Sequence, residues 1–247
     1  MATRNGQRGV VSPALWTYDI EEGKPIPRQR LTHGNEILPN ILPEYPAIGD
    51  AVRYGNRLHT LPAVFHAFNH YQPEMPPAFV APPQIDDALG LFVGYLLFDA
   101  WIDNTDRHHE NWAFIEQNQE PKRFFLSPTY DHASCLECHL KNEERERRLN
   151  TSDLLYSVAA YAKRARSGLY GDSGDKKALL TIDAFAHLAR LRPEAGRFWL
   201  ERLSQVHDDA ISSVLQRFPA ERASPRETRF AAELMRANRA ALLLLEI

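Results

Sequence analysis

The clearest pattern in the chain begins at Asp87. Apolar residues follow at Leu89, Phe92, Val93, Leu96, Leu97, Ala100 and Trp101, the spacing of a buried helical face. Asp86 or Asp87 is placed to cap its start. Behind it, WAFIE (112–116) and RFFLS (123–127) read as strands joined by the polar turn QNQEPK, so a hairpin is predicted. The earlier part of the chain lacks such order. Prolines recur from Pro13 to Pro83 and interrupt long helices. The best helix there is Thr60 to Tyr71, with short strands read over 9–12 and 14–18.

From Asn142 onward the chain reads as helical. KNEERERRLN (141–150) is a solvated, mixed-charge segment. A helix is predicted from Thr151 or Ser152 to near Gly168, and another from a Thr181 cap to Leu191. Pro193 suits the first turn of the next helix, and Asp208 starts a shorter one. Ser224 and Glu227 have capping-box spacing with Pro225 at the first helical position. The final helix is predicted to run to about Glu246. The fold class expected is α+β, mostly α. Residues 1–83 form an irregular, proline-rich N-terminal region, and residues 84–247 form the main domain.

Composition adds limits. With 247 residues, 44% hydrophobic and 25% charged, the chain suits one large domain or two lobes. A net charge of −3 gives no broad basic field for nucleic acid or an anionic membrane, so no direct nucleic-acid binding is expected. No apolar run reaches the roughly 18 residues of a membrane span. The two cysteines, Cys135 and Cys138, cannot staple a domain of this size. With no apolar leader at the start, a cytoplasmic setting is expected.

The candidate chemistry lies directly behind the oily helix, in WIDNTDRHHENW (101–112). Asp106 stands at the helix exit, Asn111 five residues later, and Asp131 twenty residues beyond that. The hairpin can return Asp131 to the neighbourhood of Asn111. Two carboxylates and a carboxamide oxygen would then converge, a set of hard ligands suited to Mg²⁺ with phosphate oxygens and water. Those ingredients match phosphoryl transfer. Asp103 is a second candidate for the catalytic carboxylate. Trp101 and Trp112 read as core anchors for the loop ends, and Arg107 as a partner for an acidic neighbour.

Asp106-Arg107-His108-His109-Glu110-Asn111 fits the D-x-H-x-x-N catalytic loop of HipA-like kinases, and Tyr130-Asp131-His132-Ala133-Ser134 resembles that family's metal-binding segment. Phosphatidylinositol 3/4-kinases, distant relatives, share the D-R-H-x-x-N wording. The resemblance is carried by residues 84 to 134 and extends to the helices up to Ile247. It implies a protein-kinase-like C-terminal lobe of HipA type with a small, incomplete N-terminal region. It also implies ATP and Mg²⁺ as cofactors, Asp106 as catalytic base, Asn111 and Asp131 as Mg²⁺ and nucleotide ligands, and His108 as a residue that shapes the loop or contacts phosphate. A protein Ser or Thr is the implied acceptor. A separate N-lobe polypeptide or an antitoxin is the implied partner, and a toxin–antitoxin component the implied setting.

The chain departs from that pattern before residue 84. No G-x-G-x-x-G lies between two strands, and the only lysine before Lys122 is Lys24, in the turn EEGKPIP. Two alternatives therefore stay open: a phosphotransferase acting on a lipid or small molecule, and an inactive kinase-like binding module. Cys135-Leu136-Glu137-Cys138-His139 matches the haem-attachment spacing C-x-x-C-H. The same residues with His132 or His109 have zinc-ligand chemistry. Free thiols are the simpler reading. GDSGD (171–175) reads as a solvated turn.

Overall fold

The computed structural model describes residues 29–247, apart from 48, 51, 77, 78 and 119, together with the backbone of two short strands near the start. Those strands, β1 (Ala2–Arg4) and β2 (Gln7–Gly9), pair antiparallel. Apart from Gly9, the strands expected over 9–12 and 14–18 lie outside the described residues, as does Lys24.

The main body is a helix-rich α+β fold around one small sheet. β3 (Gln29–His33) pairs antiparallel with β4 (Ala113–Gln117), which pairs antiparallel with β5 (Arg123–Leu126). The hairpin was legible; its third strand was not. QRLTH holds one aliphatic residue, so no alternation marks it as a strand. Tertiary register makes it one, with His33 opposite Ala113 and the Thr32 hydroxyl 3.3 Å from Glu116. A short α1 (Gly34–Ile37) follows at once.

Around the sheet run α2 (Leu61–Tyr71), α3 (Ala88–Trp101), α4 (Asn142–Asn150), α5 (Val158–Ala162), α6 (Thr181–Leu191), α7 (Pro193–Ser204), α8 (Asp208–Leu215) and α9 (Pro225–Leu242). The N-cap of α3 is as read, with Asp87 accepting from the Gly90 amide; Thr60, read as the first residue of α2, is instead its N-cap and accepts from the Ala63 amide. Ser224 and Glu227 form the reciprocal box at the start of α9. The last helix stops at Leu242, short of Glu246.

Two helix predictions need correction. The long helix expected after Thr151 is instead a turn and the five-residue α5. Thr151 Oγ1 accepts the Asp153 amide and the Asp153 carboxylate accepts the Leu155 amide. These local bonds compete with helix formation. Thr181 is the first residue of α6 and not its cap, because its amide donates to the Ala165 carbonyl.

α3 is the axis of the core. It is apolar on all sides and is buried against α6, α7 and α9. Phe92 and Leu96 are almost fully inaccessible, and Phe92 meets Phe68 of α2 and Trp112 of the loop. Burying one such ring contributes about 1.5–3 kcal/mol. The core therefore runs across the change of character at Gln84, joining Ile37, Leu38, Tyr45 and Val64 to Leu89 and Phe114. A Cβ added at Gly94 would lie 2.5 Å from the Trp199 ring, so a glycine is what admits α7 this closely. Among the described residues no helix is long and apolar enough to cross a membrane.

Candidate active site

α3 delivers a single carboxylate, Asp99, into otherwise apolar surroundings. It is 2% exposed and organises the loop behind the helix. The Asn104 side chain donates to the Asp99 carboxylate at 2.8 Å, and the Asn104 amide donates to the Asp99 backbone carbonyl, also at 2.8 Å. Arg107, fully buried, grips it with Nε and Nη2, each at 2.7 Å. The acidic neighbour expected for Arg107 is thus Asp99. A lone carboxylate on an oily helix, eight residues before an arginine, was the available signal.

The loop then turns tightly. The Asp106 amide donates to Asn104 Oδ1 at 3.2 Å, and the Asn111 amide to the His108 carbonyl at 2.9 Å. Asn111 is 3% exposed, and its Nδ2 donates to the Asp106 carbonyl at 2.7 Å. This bond fixes which end of the carboxamide faces inward. Among the described residues nothing donates to Asn111 Oδ1, so its oxygen stays available.

His108 sits beside Asp106. The Glu110 amide donates to His108 Nδ1 at 3.1 Å, so in the neutral ring the proton is on Nε2, which lies 3.4 Å from Asp106 Oδ1. Burial is the main influence and pulls the His108 pKa below its ordinary value, against the opposing pull of Asp106. The other Asp106 oxygen accepts from the Ser134 hydroxyl at 3.3 Å. The base candidate is therefore held from the loop and from the segment after β5. Ser134 was quoted in the sequence motif, but no role for it was legible there.

Asp131 is exposed, with a left-handed backbone (φ 53°) that aspartate tolerates better than most residues. Among the described residues no hydrogen bond covers its carboxylate. Its charge nonetheless acts on His108, Tyr130 and His132, so it lies on the same side of the molecule as the loop. Its neighbours are anchored: the Tyr130 hydroxyl donates to the Glu110 carbonyl at 2.8 Å, and Thr129 meets Arg107.

Asp103 is elsewhere. It is 1% exposed, and its Oδ1 accepts from Asn238 of α9 at 2.8 Å. Burial pushes its pKa up to about 7. It faces the helices and not the loop opening, so it ties the loop base to α9. His109 also turns inward, with Nδ1 2.7 Å from the Tyr45 hydroxyl, and burial lowers its pKa to about 4. Trp112 is 2% exposed and donates to His59 Nε2 at 3.0 Å; Trp101, half-buried, donates to the Met235 carbonyl. Both ends of the loop are anchored as expected.

The cysteine segment forms a turn, with the Cys138 amide on the Cys135 carbonyl at 3.2 Å. Burial pushes the Cys135 thiol up to about 11, which keeps it protonated near neutrality. Among the described residues no three His, Cys, Asp or Glu side chains are gathered for a metal. The expected third ligands are engaged elsewhere, His109 with Tyr45 and His132 with Thr129. GDSGD is a self-bonded turn, with the Gly174 amide on Asp172 and the Asp172 amide on Asp175.

Two glycines let backbone press on the loop. A Cβ at Gly168 would lie 2.7 Å from the Arg107 carbonyl group and the His108 nitrogen, and one at Gly34 would lie 2.4 Å from the Trp112 ring. Gly168→Ala is expected to cost about 1–3 kcal/mol, because the clash is with backbone that cannot rotate aside. A lowered midpoint in thermal unfolding checks this; an unchanged midpoint would mean that the 167–170 segment yields freely.

The fold is kinase-like. A solved structure, that of the Helicobacter pylori proinflammatory kinase CtkA, shares the fold with a TM-score of 0.58 at 16% identity, over 91% of this chain and 68% of that one. No family model matches the sequence, and no curated protein matches it.

Proposed function

We propose that this protein is a HipA-like kinase domain that transfers the γ-phosphoryl group of ATP to a hydroxyl, with a protein serine or threonine as the acceptor. The observation that carries the reading is the Asn111–Asp106 lock: the carboxamide nitrogen is held at 2.7 Å by the Asp106 carbonyl, leaving Oδ1 as a fixed acceptor beside the base. Asn111 Oδ1 and the uncovered Asp131 carboxylate fit Mg²⁺, which takes few protein oxygens and leaves positions for phosphate and water. When bound, the ion would neutralise charge on the transferring phosphate.

In this reading the chain's own residues orient the acceptor. Asp106, 14% exposed at its side chain, accepts the hydroxyl proton as the new P–O bond forms and ADP departs with the electrons of the broken bond. Neutral His108 lies 3.4 Å from one Asp106 oxygen and the Ser134 hydroxyl donates to the other, which orients the carboxylate. The support is the loop geometry together with the kinase-like fold. A separate polypeptide supplying nucleotide-binding backbone and lysine, or an antitoxin, is the expected partner.

Labelled ATP with Mg²⁺, offered with protein, lipid and small-molecule acceptors, tests the proposal. Asp106→Ala is expected to lower transfer by about 10²–10⁴-fold, and Asp131→Ala to do the same through loss of the metal, with circular dichroism unchanged for both. Full transfer by both variants would end this assignment. The second reading, a kinase-like module that binds a partner without transfer, draws on the lack of a nucleotide lysine between Lys24 and Lys122. Calorimetry showing no ATP binding with Mg²⁺ present would favour it.

A further inference from the structure

The proposed metal ligands come from two separate stretches of chain, and their spacing has to be set by something other than the peptide between them. Asn111 belongs to the loop after α3, and Asp131 to the segment after β5. One side chain touches both. Arg107 donates from Nη1 to the Asn111 carbonyl oxygen, and from Nη2 to Thr129 Oγ1 at 2.8 Å. The Thr129 hydroxyl lies 2.9 Å from His132 Nε2. Arg107 Nη2 also lies 3.4 Å from that nitrogen, and because an arginine only donates, His132 Nε2 is the acceptor. The chain of donors is therefore Arg107 to Thr129 to His132, which holds the residues on both sides of Asp131.

We infer that Arg107 is a positioning residue that clamps the Asn111 loop to the Thr129–His132 segment and so sets the spacing of the two halves of the metal site. The inference rests on the phosphotransfer reading above. Asp99 is the fixed post of the clamp: its bidentate contact sets the plane of the guanidinium. Only a planar, multi-donor group can reach Asp99, Asn111 and Thr129 at once. A lysine keeps the charge but presents one ammonium in place of a fork. Residues that hold ligands from behind typically change metal affinity 10–100-fold when removed.

The test uses the full chain with Mn²⁺ as the probe, titrated with a non-hydrolysable ATP analogue and read by electron paramagnetic resonance. Two variants are compared with wild type. Arg107→Lys keeps the buried charge. Thr129→Val leaves the Arg107–Asp99 pair intact and removes the bridging oxygen, so that only the longer 3.4 Å contact from Arg107 to His132 remains; it decides the matter if the lysine variant does not fold. Ser127→Ala, which removes a nearby hydroxyl bonded to the Pro128 carbonyl, is the control for small losses of stability. Mn²⁺ affinity is expected to fall about 10–100-fold in both clamp variants and to be unchanged in the control. In transfer assays, the Mg²⁺ concentration for half-maximal rate should rise, with the rate recovering at saturating Mg²⁺. Wild-type affinity in a folded Thr129→Val and in Arg107→Lys overturns the clamp and leaves the kinase reading standing. A wild type that binds neither Mn²⁺ nor nucleotide overturns both.

Discussion

Arg107→Ala is expected to lower the free energy of unfolding by about 3–5 kcal/mol, the usual cost of breaking a buried ion pair by removing one partner. The reason is what is left behind. Asp99 is 2% exposed on an apolar helix, and without Arg107 its charge keeps only the one donor from the Asn104 side chain. The Asn111 carbonyl and Thr129 hydroxyl lose their donor in the same step. For a chain of this length each kcal/mol moves the melting midpoint by roughly 2–4 °C, so a fall of about 10 °C is expected by differential scanning calorimetry. The neutral pair Asp99→Asn with Arg107→Gln should recover part of that loss, since neither side then buries an uncompensated charge. A melting midpoint of Arg107→Ala within about 2 °C of wild type would show that the pair is not the keystone its burial implies.

Asp103→Asn is expected to act in the opposite direction, and only above mildly acidic pH. Burial, opposed by the Asn238 hydrogen bond and reinforced by Glu137, lifts the Asp103 pKa from an ordinary 3.8 to about 7. The folded state then holds a proton that the unfolded chain has released. Stability contributed at this position is present below about pH 4 and is lost as pH rises toward 7. Three units correspond to about 4 kcal/mol. Asparagine keeps the acceptor for Asn238 and tolerates the left-handed backbone, φ 53°. It also buries an amide where Oδ2 has no partner, at a cost of about 1–3 kcal/mol. The net gain at pH 8 is therefore about 1–3 kcal/mol, and it reverses to a loss of about 1–3 kcal/mol near pH 4, where only the cost of the amide remains. Urea unfolding of both proteins across that range measures the difference. A gain that is independent of pH would mean that Asp103 is already ionised at low cost.

These two carboxylates mark where reading the chain succeeds and where it stops. Asp103 and Asp106 are three apart on one polar loop, and the sequence offered both as candidates for the catalytic carboxylate. Composition around them is nearly the same. Their surroundings differ because α9, more than a hundred residues later, brings Asn238 onto Asp103, while Ser134 from the segment after β5 reaches Asp106.

The amino-acid sequence by itself determined what depends on near neighbours. The buried helix α3, the hairpin β4–β5, the caps at Asp87 and Ser224, and the anchoring tryptophans all follow from periodicity and capping chemistry acting over a few residues. Only the tertiary structure decided the rest: β3 as the third strand, the burial of Asp103, and the grip of Arg107 on Asp99, Asn111 and Thr129. Each of those depends on the desolvation of a polar group by residues distant in the chain. No local pattern records that desolvation, because it exists only once the core has closed.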